Sequence, residues 1–133
     1  MVNAVYRIDV IKGIQWVISD YTDALKNNSA ARATANLSLG GGVSRVMDMI
    51  VNSAVRAGIH LTVAAGNDAE PACTTSPARA DLPISVGATT VKDRRADFSN
   101  YGDWSGLFFF FFFKFLSFEA ALASRLNGQS TKP

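Results

Sequence analysis

The sequence has 133 residues and a mass of 14.3 kDa, room for one modest core and not for two. Thirteen Lys and Arg against eleven Asp and Glu leave a net charge of +2, and no basic run exceeds Arg94-Arg95, which excludes a strongly basic nucleic-acid groove. A hydrophobic share of 48% with 18% charged residues is that of a folded chain, yet eight of the nine Phe fall between Phe108 and Phe118, so the sequence divides into two compositional regimes.

Met1 to Val10 carries Arg7 and Asp9 and lacks the apolar stretch of about 7–15 residues that a secretory signal needs, so none is expected there. From Asp9 to Asn28, Val10, Ile14, Val17, Ile18, Tyr21 and Leu25 recur at the spacing of one face of a helix, which Asn27-Asn28-Ser29 breaks. Thr34 to Leu39 then reads as a short strand running into a turn at Gly40-Gly41-Gly42. A second helix is expected after Ser44 as N-cap, with Val46, Met47, Ile50, Val51, Ala54 and Val55 on its apolar side, Arg45, Asp48, Asn52 and Arg56 on the other, and Gly58 as its stop. Ile59 to Ala65 is a nearly unbroken apolar run, the pattern of a strand covered on both faces, and it ends at Gly66-Asn67. Strand, helix and strand in this order predict a parallel βαβ unit.

Asp68 to Asp81, with Pro71 and Pro77, reads as a long loop of the kind that carries function. Its Cys73, the one cysteine of the chain, excludes an intrachain disulfide, and no His or second Cys stands beside it at metal-ligand spacing. Leu82 to Thr89 alternates Ile84, Val86 and Ala88 with Ser85 and Gly87 and predicts a third strand. The polar stretch Lys92 to Arg95 leads to Phe98-Ser99-Asn100-Tyr101-Gly102. Leu107 to Phe118, interrupted by Lys114, is too short to cross a bilayer, so membrane association of this segment is not expected. A pyrimidine-rich nucleotide tract read in frame would give such a run of Phe, and the segment reads as foreign to the domain that precedes it.

In parallel βα arrangements ligands meet the carboxyl ends of strands, where loops converge and helix N-termini point their amides outward. Two such ends are expected, Ser38-Leu39-Gly40-Gly41-Gly42 and Ala64-Ala65-Gly66-Asn67. Glycine lets another backbone approach, so an extended peptide could pair with the main chain at the first end. At the second, the Asn67 carboxamide offers a neutral N–H suited to a developing oxyanion. A rival reading makes the glycines a dinucleotide-binding turn, but Arg45 stands where the third glycine of G-x-G-x-x-G belongs.

The blocks Ala35-Asn36-Leu37-Ser38-Leu39-Gly40-Gly41, Gly58 to Asn67, Ser76-Pro77-Ala78, Ser85-Val86-Gly87-Ala88-Thr89 and Phe98-Ser99-Asn100-Tyr101-Gly102 together resemble the subtilisin-like serine proteases of peptidase family S8, most closely the proteinase K type. With Ile14-Gln15-Trp16-Val17 upstream, the resemblance spans residues 9–102. It implies an α/β fold, a fragment of the subtilisin-type parallel sheet with flanking helices, in a partial peptidase domain at 1–102 followed by an unmatched Phe-rich tail at 103–133. It implies further that Asn67 is the oxyanion-hole side chain, that Ser38, Leu39 and Gly40 lend backbone to the substrate cleft, and that Ala64, Ala65 and Gly66 line the primary specificity pocket. The implied partner is a polypeptide substrate or peptide ligand, and the implied location is extracellular.

The segments that carry the family's triad, D-T/S-G, H-G-T-H and G-T-S-M-A-x-P, do not occur between Met1 and Pro133. The only histidine, His60, sits inside a strand and does not match the catalytic position, and Ser130 lacks the residues that follow a subtilisin-type nucleophile. The chain is therefore expected to be inactive by itself, or to act as a non-catalytic peptide-binding remnant. The resemblance places a calcium site partly in the loop near Asp81 to Pro83 and partly downstream of Tyr101-Gly102, where this sequence departs from the family. No cofactor or metal is accordingly assigned.

Overall fold

The computed structural model describes residues 4–102 and 107–110. Helix α1 spans Ala4–Asn27, strand β1 Ala33–Leu37, strand β2 Gly41–Gly42, helix α2 Arg45–Arg56, strand β3 Ile59–Ala64, strand β4 Thr75–Ser76, strand β5 Ile84–Ala88 and strand β6 Leu107–Phe110. Four strands form one sheet in the order β1-β3-β5-β6, and every neighbouring pair is parallel. The sequence reading expects three of them. The fourth, β6, comes from the Phe-rich region, where Leu107 to Phe110 pair with Ser85 to Ala88. The remainder of that region, including Phe111 to Phe118 and Ser130, lies outside the described residues.

The helices build the core with the sheet. Val10, Ile14, Val17, Ile18, Tyr21 and Leu25 of α1 all join the cluster formed with Met47, Val51 and Ala54 of α2 and with Ile59, Leu61 and Val63 of β3. Helix α2 begins where Ser44, in an extended conformation, accepts the Met47 N–H at 3.4 Å on its hydroxyl, offsetting one of the amides left free at a helix start. It ends at Gly58, whose φ of +99° is the left-handed conformation that closes helices. A Cβ there would come within 3.3 Å of the Tyr21 hydroxyl, so the same glycine lets α1 pack against the end of α2.

Four expectations are corrected. Strand β3 is covered on one face: Ile59, Leu61 and Val63 are buried under the helices, while His60 on the opposite face is exposed. Apolar content alone does not distinguish one-sided from two-sided burial when small and polar side chains such as Thr62 and Ala64 make up the second face. Val46 is 59% exposed, because the buried stripe of α2 runs Met47, Val51, Ala54 and one residue's rotation of about 100° carries Val46 off it. Asp48 and Asn52 are not a solvated face. Asp48 pairs with Arg79 at 3.4 Å, and Asn52 Oδ1 accepts the Leu82 N–H at 3.0 Å, so α2 holds both flanks of the 79–82 segment. Finally, Gly41–Gly42 is not a free turn but a strand paired antiparallel with Thr75–Ser76 from the long loop.

The exposure difference along α2 has a measurable consequence. Val51→Ala, at a site with no exposed surface, is expected to cost roughly 2 kcal/mol in urea unfolding, whereas Val46→Ala should change stability by no more than about 0.5 kcal/mol.

Candidate active-site cleft

The parallel register sets the site. Leu37 stands beside Val63, so the chain leaves β1 at Ser38 and β3 at Ala65 from the same end of the sheet. Ser38 and Gly40 are exposed, Leu39 is half-buried, and all three lie between β1 and β2. Ala64 is half-buried and Ala65 is 1% exposed. The pairing of Gly41–Gly42 with Thr75–Ser76 draws the long loop over this end, and Thr75 Oγ1 donates to the Ala65 carbonyl at 3.4 Å. The sequence-predicted residues of both strand ends are thus brought together on one rim.

Asn67 is exposed at that rim, and its carboxamide has no hydrogen-bond partner among the described residues. The backbone on both sides of it is held tightly. The Ala65 N–H donates to Val86 O at 2.9 Å, joining the turn to β5. Gly66 has a φ of +111°, and a Cβ there would stand 2.3 Å from Asn100 Nδ2, so the turn tolerates no side chain at this position on grounds of both conformation and space.

Asn100 lies in the family-like block Phe98 to Gly102, to which the sequence assigns no role. It has no exposed surface, and its side chain donates to Ala65 O at 3.0 Å and accepts from the N–H groups of Asp68 at 2.9 Å and Glu70 at 3.1 Å. Two converging N–H donors require the oxygen on that side, so the partners set the orientation of the amide. The signal available was a polar residue flanked by Ser99 in a loop, which does not by itself announce burial. Ser99, also without exposed surface, accepts the Ala88 N–H at 2.9 Å and so ties the segment to the end of β5.

His60 is placed away from the rim. It pairs with Thr34 near the amino ends of the strands, the end opposite to the one at which β3 runs on into Ala65 to Asn67. The dinucleotide alternative meets a geometric obstacle. One edge of the Gly41–Gly42 backbone is engaged with β4, and the Ser44 N–H donates to Ser76 Oγ at 2.9 Å, so this part of the turn's main chain is not free for a pyrophosphate. No group of three or more His, Cys, Asp or Glu able to hold a metal occurs among the described residues.

The model of the subtilase family, peptidase S8, matches residues 3–108. The chain belongs to the subtilase family. It is 50% identical over 100 residues to the subtilisin-like serine protease Rho m 2.0101 of Rhodotorula mucilaginosa and 49% identical over 102 residues to the subtilisin-like serine protease Pen ch 18 of Penicillium rubens. Each match takes in 75% of this chain, but 29% of the first relative and 21% of the second. A cold adapted subtilisin-like serine proteinase of known crystal structure superimposes with a TM-score of 0.63 at 41% identity, over 75% of this chain and 33% of that one. The subtilase chain therefore spans at most about a third of the length of these relatives, and its parallel sheet with flanking helices is a fragment of their fold. The family match also reaches Phe108, inside β6.

Because Gly66 lacks both the freedom and the room for a Cβ, Gly66→Ala is expected to cost roughly 2–3 kcal/mol in chemical unfolding. The Asn100 side-chain resonances should shift with it, since that amide is what the new methyl group strikes.

Proposed function

We propose that residues 1–102 are the substrate-cleft part of a subtilisin-like serine endopeptidase domain, a class that hydrolyses peptide bonds through an acyl-enzyme with Ser as nucleophile and His as general base. The family match to Phe108 and the pairing of Leu107–Phe110 with β5 join the start of the 103–133 segment to that domain, and the segment beyond Phe110 lies outside the described residues. The observation that carries the proposal is the exposed carboxamide of Asn67, without a hydrogen-bond partner among the described residues, beside the glycine-bordered end of β1. A buried or internally bonded Asn would be a loop fastener. An exposed one on a turn held by backbone hydrogen bonds can exchange its water for an incoming oxygen.

The division of labour follows from chemistry. An extended polypeptide lies along Ser38, Leu39 and Gly40 and exchanges main-chain hydrogen bonds there. The side chain preceding the scissile bond runs along the segment Ala64, Ala65 and Gly66, of which Ala64 and Gly66 are half-buried and Ala65 is covered. The scissile carbonyl faces Asn67 Nδ2, which donates more strongly as negative charge gathers on the oxygen, and a carboxamide does so without titrating. The fixed backbone around Asn67 matters because a preorganised donor does not have to reorient as the charge forms.

The bond-breaking groups are the other half of the proposal. Residues 1–133 contain none of the three triad segments, and the lone His60 lies far from the rim, so this chain by itself performs no turnover. The second reading, a peptide-binding remnant, shares the same cleft. Either way the partner is a polypeptide, and the family reading puts the protein outside the cell.

A fluorophosphonate probe of active-site serines is expected to leave the purified chain unlabelled, with a test peptide intact after prolonged incubation. Stoichiometric labelling accompanied by peptide cleavage would contradict the assignment.

A further inference from the structure

Four hydrogen bonds from Asn100 bracket Asn67 and none touches it. On the amino side, Asn100 Nδ2 donates to Ala65 O at 3.0 Å and the Asn100 N–H donates to Gly66 O at 3.0 Å. On the carboxyl side, Asn100 Oδ1 accepts from the N–H groups of Asp68 at 2.9 Å and Glu70 at 3.1 Å. The strand-like contact continues outward, with Ala69 N–H donating to Phe98 O at 2.9 Å and Tyr101 N–H to Glu70 O at 3.0 Å. The turn has little cover of its own: Asn67, Asp68, Ala69 and Glu70 are all exposed, and Ala69 adopts a φ of 53°, uncommon for a residue with a side chain. An exposed segment in a costly conformation persists only where something buried over-determines it. Asn100, without exposed surface, is that element.

We propose that Asn100 is the positioning residue of the oxyanion turn: its sealed carboxamide fixes the backbone at 65–70 and thereby the direction in which Asn67 presents its N–H. The inference rests on the reading of Asn67 as the cleft donor. Asn100 itself does not meet substrate. Its neighbours explain how it stays in place, since Ser99 Oγ accepts the Ala88 N–H at 2.9 Å and the Ala96 N–H donates to Ala88 O at 2.9 Å, anchoring the 95–100 segment to the end of β5 independently of the turn it clamps. A single carboxamide that both donates and accepts is required. A carboxylate would keep the acceptor and lose the donor, and an alanine would lose both.

The test is amide hydrogen exchange by NMR on the full 133-residue chain, compared among Asn100→Ala, Asn100→Asp and Val51→Ala. Val51→Ala loosens the core remote from the turn and calibrates the effect of lost global stability. After correction for each variant's unfolding free energy, Asn100→Ala is expected to speed exchange at Asp68 and Glu70 by about 30-fold, the effect of uncovering donors that had one buried acceptor, while the β3 amides follow global stability alone. Asn100→Asp, which keeps the acceptor oxygen, is expected to hold Asp68 and Glu70 within about threefold of the parent chain, and it decides the matter should Asn100→Ala fail to fold. Exchange at Asp68 and Glu70 that merely tracks global stability in Asn100→Ala, or that rises in Asn100→Asp by the factor expected for alanine, overturns the proposal. Serine labelling or peptide cleavage by the parent chain would defeat the functional reading while leaving these exchange ratios to judge Asn100 separately.

Discussion

A buried carboxamide is costly unless its polar atoms find partners, and Asn100 resolves that cost by taking its partners from one short turn. Ala65 O, Asp68 N–H and Glu70 N–H are the groups that satisfy it, and they are also groups that a solvent-exposed turn would otherwise leave to water. The desolvation of one side chain and the geometry of residues 65–70, all but Ala65 exposed or half-exposed, are therefore a single constraint. Gly66 is its corollary, since the close approach of Asn100 Nδ2 leaves no space for a Cβ at that position.

The parallel pairing of β1 with β3 gives this constraint its location. Parallel strands end together, so the register Leu37 with Val63 delivers Ser38 and Ala65 to one rim. Both strands are levelled by the same apolar face, Ile59, Leu61 and Val63 packing beneath α1 and α2. A one-residue slip would expose that face and misplace both ends at once. Core packing and cleft geometry are thus linked through register, and the opposite face, with Asn36, Thr62 and His60, is left with its own polar contacts. There Thr62 Oγ1 donates to Asn36 Oδ1 at 2.9 Å and Asn36 Nδ2 donates to Ser38 Oγ at 2.8 Å, leading from mid-sheet toward the rim.

Periodicity made both helices, the Ser44 cap, the Gly58 stop and three strands legible, because each depends on local spacing that a single sequence displays. The same reasoning fails where the outcome depends on distant chain. Whether β3 is covered on one face or two is decided by what packs there, and Gly41–Gly42 becomes a strand because Thr75–Ser76, some thirty residues away, comes back to meet it. Asp48 and Asn52 look like solvent-facing residues until the 79–82 segment folds over them. At the site, the position of Asn67 and Gly66 at the carboxyl end of β3 could be read from the order of small residues after a strand, and the role proposed for Asn67 comes from family likeness. Asn100 could not be given a role on that basis, since its function lies in four partners spread over residues 65–70.

The central claim is that Asn67 offers its carboxamide N–H to the carbonyl or carboxylate of a peptide seated along Ser38 to Gly40. The most direct measurement is an NMR titration of the isotopically labelled chain with an acetylated tetrapeptide ending in a free carboxylate, whose terminal oxygens occupy the place of the scissile carbonyl. The account predicts that the Asn67 side-chain NH2 resonances and the backbone amides of Leu39 and Gly40 move together and saturate with one dissociation constant, on the order of millimolar for so short a ligand. Binding that leaves the Asn67 carboxamide unmoved, or no binding at several times that concentration, would contradict it.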